Sequence, residues 1–273
     1  MKIILTESPT EEKRIKKYYR GAKVLSRADD IFETVKLLDK DIDLIVAPLQ
    51  FKTLCRHHEF WPYHKDYDLI IDGQVKLFST QKLNVQDFET LIEYYCDYNQ
   101  ATHQLIWRKE RQDYYGVFSD EKSCALYGGL YYKEETQYRV YSPLNFKRFK
   151  SVTVINNYLL CRILDAYDIN HNSIDLPVNP QLIHIECKSQ HKKCITYKEK
   201  KLLWNEYFKD FFRYHNVEIN TNQYALSEML QWIWRSAIRD GKEIWIYIPS
   251  RRMRELLQNW TLEISGSNPE IIY

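Results

Sequence analysis

The residues best placed to do chemistry are one acid at the end of an apolar run and three long polar side chains at a repeating interval. Tyr67-Asp68-Leu69-Ile70-Ile71-Asp72 reads as a buried strand ending in a carboxylate, and open parallel sheets bind ligands at the carboxyl ends of their strands. Gln231, Arg235 and Arg239 recur at i, i+4 and i+8, one face of a helix. Two arginines so aligned can grip phosphate oxygens bidentately, although a solvated face shows the same spacing. The phosphate cradle is missing. A P-loop needs glycines followed by Lys-Ser or Lys-Thr, and the single Gly-Lys pair, Gly241-Lys242, runs into Glu243. On its own, the chain is not expected to hydrolyse ATP by the P-loop route.

Four potential zinc ligands, His184, Cys187, His191 and Cys194, fall within eleven residues. Their spacings suit a tetrahedral site, but structural fingers show two tight pairs separated by a longer loop. Cys55, His57, His58 and His64 form a looser group that reads as structural or surface. No nucleophilic triad can be assigned from residue order, so no catalytic residue, metal or cofactor is expected. Asp72 as a lone metal carboxylate is the weaker enzymatic alternative. Basic stretches run from Lys13 to Arg20, Lys147 to Lys150, Lys198 to Lys201 and Arg251 to Arg254. Aromatics flank the Lys147 group, and the Arg251 group starts a helix, both of which suit backbone binding.

The elements that position these residues alternate strand with helix. Strands are expected at Lys2–Leu5, Lys23–Leu25, Asp43–Val46, Tyr67–Asp72, Ser151–Ile155, Leu182–Ile185 and Ile244–Ile248. Helices are expected at Thr10–Tyr19, Asp29–Leu38, Leu49–Cys55, Val85–Tyr98, Tyr158–Tyr167, Lys198–Tyr214, Ala225–Arg239 and from Pro249-Ser250 to about Trp260. Arg108 to Tyr141 reads as irregular and tyrosine-rich. The alternation predicts an α/β protein of two parallel-sheet domains, residues 1–141 and 142–273, divided near Ser142-Pro143. No internal repeat is visible.

A formal net charge of +2 does not announce a nucleic-acid binder, so any basic surface must be local. Six scattered cysteines and an opening without an apolar leader point to reduced thiols in the cytoplasm. No apolar run approaches the roughly 20 residues of a membrane span.

In order along the chain, several segments resemble superfamily 2 helicases, especially helicase-like replication proteins of bacterial phages and mobile elements. Gln231, Arg235, Arg239 and Gly241 before the strand at Ile244 look like motif VI. The stretch Thr6, Glu7, Ser8, Pro9, Thr10 looks like motif Ia, Leu44 to Phe51 like the next strand-and-loop motif, and Asp68 to Gly73 like motif II. Ser151–Ile155 looks like the first strand of the second domain. The pattern departs from the family in three places, one being that the second arginine of motif VI, Arg239, falls one position later than usual. Gly73 stands where motif II carries the glutamate that positions water, and motif I has no room before Met1.

The resemblance implies two RecA-like domains, with Asp72, Gln231, Arg235 and Arg239 lining a vestigial nucleotide cleft. Backbone phosphates would be met by Thr6, Ser8, Thr10, Lys147, Arg148, Lys150, Arg251, Arg252 and Arg254. The function expected is nucleic-acid binding, with DNA as the expected partner, in phage or mobile-element replication or maintenance, with a replication protein as a further partner and ATPase activity only if another chain supplies a P-loop. The alternative is a helicase mimic that docks on a replication factor without nucleic acid.

Overall fold

A computed structural model describes residues 1–6, 15–25, 31–56, 61–62, 64–72, 77–175, 178–187, 195–197, 206–266 and 271–272. The first stretch runs β1 (Lys2–Thr6), β2 (Lys23–Val24), α1 (Ile31–Leu38), β3 (Leu44–Val46), α2 (Pro48–Arg56) and β4 (Asp68–Asp72). There follow β5 (Phe78–Lys82), α3 (Val85–Tyr94), β6 (Cys96–Asn99), β7 (Gln104–Trp107), α4 (Ser119–Ala125), β8 (Leu130–Lys133) and β9 (Thr136–Val140). Next come β10 (Ser151–Ile155), α5 (Tyr158–Ala166), β11 (Asn172–Ile174), β12 (Ile183–Glu186), β13 (Ile195–Thr196) and α6 (Glu206–Tyr214). The chain closes with α7 (Thr221–Trp234), β14 (Ile244–Tyr247), α8 (Arg251–Ser265) and β15 (Ile271–Ile272).

Two parallel sheets result, in the α/β class expected. The first has six strands in the order β11-β10-β4-β1-β3-β2, the second four in the order β13-β14-β12-β15. In both, the first strand is central, the second lies at an edge, the third slots between them and the fourth pairs on the far side. Both third strands lead through a proline, Pro48 or Pro249, towards a helix. The chain thus repeats a topology without repeating a sequence.

Strand alternation divides the first sheet's side chains between two cores. Ile3, Leu5, Leu44, Val46, Leu69, Ile71, Val152 and Val154 enter the main core with Leu38, Phe51, Leu54, Leu164 and Phe211. Ile4 and Ile45 face the other way, onto Ile15, Tyr19 and Ala22. Thr6 and Asp72 follow Ile4 and Ile70 by a period of two, at the carboxyl edge.

Two expectations are corrected. Ser151–Ile155 does not open the second sheet: it pairs with β4, Ser151 opposite Asp68 and Ile155 opposite Asp72. The first sheet therefore reaches across the expected division near Ser142-Pro143, and the second begins at Ile183. The segment read as irregular instead holds two strands, β8 and β9, of a five-stranded antiparallel sheet, β5-β9-β8-β7-β6, inserted between β4 and β10. Its core is aromatic, with Tyr95 stacked 5.4 Å from Trp107 and Phe88 stacked 3.8 Å from Tyr132. Gly129 is required there: a Cβ would lie 2.3 Å from the Val140 carbonyl oxygen. The buried Glu121 and Arg139 pair with each other, and Arg139 also donates to Gln137.

Candidate functional site

The carboxyl ends of β1, β4 and β10 lie side by side, Thr6 opposite Asp72 and Asp72 opposite Ile155. This is a switch point, because the chain places β2 and β3 on one side of β1 and then crosses to place β4 on the other. Thr6 is fully buried, and its hydroxyl has no hydrogen-bond partner among the described residues. Burial, then the charges of Asp72 and Asp43, raise the pKa of the Tyr19 hydroxyl.

Where β10 ends, the chain turns through Asn156, held at φ 42°, a left-handed conformation that asparagine tolerates better than most residues. Asn157 then caps α5, accepting from the Leu160 amide at 3.1 Å. Helix α7 closes over this turn. Ser227 Oγ donates to the Asn156 carbonyl at 2.9 Å and accepts from the Tyr158 amide at 3.2 Å. Gln231 Nε2 donates to the same carbonyl, and the Asn220 amide donates to the Tyr158 hydroxyl at 2.8 Å. Ile155 packs into the second sheet's core. The Tyr158 amide and Asn156 carbonyl, groups that an α/β protein commonly offers to a ligand here, are thus used to join α7 to the first sheet, and the Leu160 amide is capped locally by Asn157.

The structure brings Asp72 and Gln231 to this one turn, Asp72 through its pairing with Ile155 and Gln231 through Asn156. Gln231 is 5% exposed and forms part of the joint. The expected arginine face is broken: α7 ends at Trp234, Arg235 is its exposed C-cap, and residues 237–240 form a tighter 3-10 turn. Ser236 terminates the helix by bonding back to the Ile233 carbonyl at 2.6 Å. Arg239 therefore does not continue the stripe of Gln231 and Arg235, and its side chain lies outside the described residues.

The expected phosphate contacts separate into three places. Thr6 lies at the carboxyl edge with its side chain enclosed, while Ser8 and Thr10 fall outside the described residues. Lys147, Arg148 and Lys150 precede β10 and so lie at the opposite, amino edge, where the Lys150 amide bonds the Tyr67 carbonyl. A five-residue strand separates these edges by roughly 13 Å, so Thr6 and the Lys147 group do not share one surface. The aromatics flanking that group do not stack on bases. Phe146 and Phe149 are buried against Phe51, with Phe149 also meeting Trp61.

Arg251, Arg252 and Arg254 sit at the start of α8, capped by Ser250. Arg251 is exposed and pairs with Glu255 at 2.7 Å. Arg252 bonds Asn222 Oδ1 at 2.8 Å, and Arg254 bonds the Ile248 and Pro249 carbonyls at 2.6 and 3.0 Å, so two of the three brace the helix start.

Of the zinc candidates, His184 stacks on Trp245 at 4.4 Å and lies 3.6 Å from Glu243, Cys187 is a half-buried thiol, and His191 and Cys194 lie outside the described residues. Among the described residues no three His, Cys, Asp or Glu side chains gather as a metal group. Burial pushes the Cys55 thiol up to about 12, while His57 and His58 lie outside the described residues. No helix among the described residues is long and apolar enough to cross a membrane.

Asn156, Asn157, Tyr158 and Ser227 were not singled out in the sequence as site residues. The one readable sign is the Asn-Asn pair between an apolar run and a helix, an N-cap pattern. No solved structure matches the chain. The SPbeta prophage-derived uncharacterized protein YonV of Bacillus subtilis (strain 168) is 50% identical over 70 residues, 26% of this chain and 17% of that protein's length. Residues 186–261, which hold α6, α7, β14 and most of α8, are similar to the family described as the YonV C-terminal Rossmann-like domain.

Proposed function

We propose that this chain is a nucleic-acid-binding protein of helicase-like descent, without ATPase activity of its own, acting on DNA in the replication or maintenance of a prophage or related element. The observation that supports it best is the state of the switch-point edge. Asp72 and Gln231 occupy places that the helicase resemblance reserves for a nucleotide cleft, yet Ser227 and Asn157 take the amides at the start of α5, and Ser227 and Gln231 take the Asn156 carbonyl. A joint made this way holds two sheets in a fixed relation and leaves little for phosphate to bind. Similarity to a prophage-derived protein supports the setting. The test is fluorescence anisotropy with labelled single-stranded and duplex DNA, alongside equilibrium dialysis with ATP and magnesium. Salt-sensitive DNA binding without ATP binding is expected. Absence of DNA binding at low salt would sink the reading.

A second reading, a mimic that docks on a replication protein, is favoured by one loop of the inserted sheet. Tyr115 and Val117 are 90% and 87% exposed. The loop is braced: Lys122 Nζ bonds the Gln112 and Tyr114 carbonyls and lies 4.9 Å from the Tyr115 ring, and Ser119 Oγ donates to the Gly116 carbonyl at 2.6 Å. Gly116 makes room for the Tyr114 hydroxyl, which would lie 2.3 Å from a Cβ. A rigid tip showing an aromatic and an aliphatic side chain suits a protein hot spot. Substituting both with serine would abolish binding to a purified replication factor and leave DNA binding intact.

A further inference from the structure

We infer that nucleic acid lies along the amino edge of the first sheet, opposite the switch point, held at one end by Lys16, Lys17, Arg20 and Lys23 and at the other by Lys147 and Arg148. This rests on the nucleic-acid reading above and places its binding surface. The connection from β1 to β2 must return from the carboxyl to the amino edge. Residues 15–22 are the last part of that return, with Ile15, Tyr19 and Ala22 packed on the sheet face under Ile4 and Ile45. Lys16, Lys17, Arg20 and Lys23 are left pointing into solvent, with no acid among the described residues 15–25. Tyr18, 56% exposed in their midst, offers a ring on which a base can stack. Lys147 and Arg148, also exposed, enter β10 at the same edge.

The acids of this edge are already engaged. Lys65 lies 3.1 Å from Asp41 and 3.9 Å from Asp39, and Lys150 lies 3.2 Å from Asp66. Asp43 accepts the Lys2 amide at 2.7 Å, and Asp68 accepts the Ser151 hydroxyl at 2.6 Å. Among the described residues, no ion pair involves the six cations named. The six outward cations outnumber the acids that Lys65 and Lys150 leave uncompensated, and an edge of net positive charge suits a phosphate backbone. Its span follows from the strand order. Four strand-to-strand steps of about 4.8 Å separate β2 from β10, so the two ends lie about 19 Å apart, roughly six base pairs of one duplex strand.

The test compares three variants of the full chain by fluorescence anisotropy over a salt series: Lys16→Gln with Lys17→Gln, Arg20→Gln and Lys23→Gln; Lys147→Gln with Arg148→Gln; and, at exposed cations away from this edge, Lys109→Gln with Arg111→Gln. Circular dichroism melting confirms each fold, and having two separate ends keeps the test open should one variant fail to fold. The expected result is an affinity loss of about tenfold or more for the first, a smaller loss for the second, and a shallower salt dependence by about 0.9 per lost duplex phosphate contact in both. The third should bind as the parent does. Unchanged binding by both amino-edge variants, with loss in the third, overturns the placement and leaves the nucleic-acid reading standing. A parent that binds neither DNA probe overturns the reading itself. Amino-edge variants that lose binding to phosphatidylglycerol vesicles while the parent ignores DNA would point to a membrane surface and overturn both.

Discussion

The two edges of the first sheet treat polar groups in opposite ways. At the carboxyl edge Thr6 is enclosed, and the Asn156 carbonyl and the start of α5 are bonded by Ser227, Gln231 and Asn157. At the amino edge the acids are held by Lys65, Lys150 and backbone or hydroxyl donors, while Lys16, Lys17, Arg20, Lys23, Lys147 and Arg148 face solvent and outnumber them. A general rule of α/β proteins places ligands at the first edge. Here the end of β10 at that edge is bonded by α7, a helix packed on the second sheet, and the outward cations stand at the other.

The contrast predicts where substitutions will cost stability. Replacing Ser227 and Gln231 together with alanine should remove both donors from a buried carbonyl and one acceptor from the Tyr158 amide. A loss of roughly 2–4 kcal/mol in denaturant unfolding is expected. A loss below about 0.5 kcal/mol would mean that the carboxyl edge is not a joint. Asn156 sharpens the same point by its φ of 42°: Asn156→Ala should cost about 1 kcal/mol, and Asn156→Gly should be better tolerated because glycine adopts this conformation freely. Equal effects would remove the conformational account of that turn. At the amino edge, the Lys147→Gln and Arg148→Gln pair should leave stability within about 0.5 kcal/mol, since both side chains are exposed and unpaired among the described residues. A larger loss would make that edge structural as well.

Much of the parallel framework was readable because apolar runs such as Lys2–Thr6 and Asp68–Asp72 are short, bounded and central. The inserted sheet was not. Its β8–β9 hairpin turns through Glu134 and Glu135, both at positive φ, where Asn-Gly would have announced a two-residue turn. The α3 pattern was read too long because Cys96–Asn99 continues its polarity while pairing with β7. Sheet membership was also beyond local pattern: Ser151–Ile155 is a strand by sequence, but pairing with β4 rather than β12 is a long-range choice. At the carboxyl edge, Asp72 and Gln231 are candidates by type and spacing, whereas Ser227 and Asn156 meet only through tertiary packing. The arginine stripe failed because periodicity does not reveal a serine that ends a helix at Trp234.

The central claim, that the amino edge holds nucleic acid, is tested most directly by lysine footprinting: acetylation of the native protein with and without a DNA duplex, read residue by residue by mass spectrometry. The account predicts protection of Lys16, Lys17, Lys23 and Lys147 and unchanged reactivity at Lys242, which is exposed beside the turn before β14. Protection of Lys242 with Lys16, Lys17, Lys23 and Lys147 left reactive would contradict it.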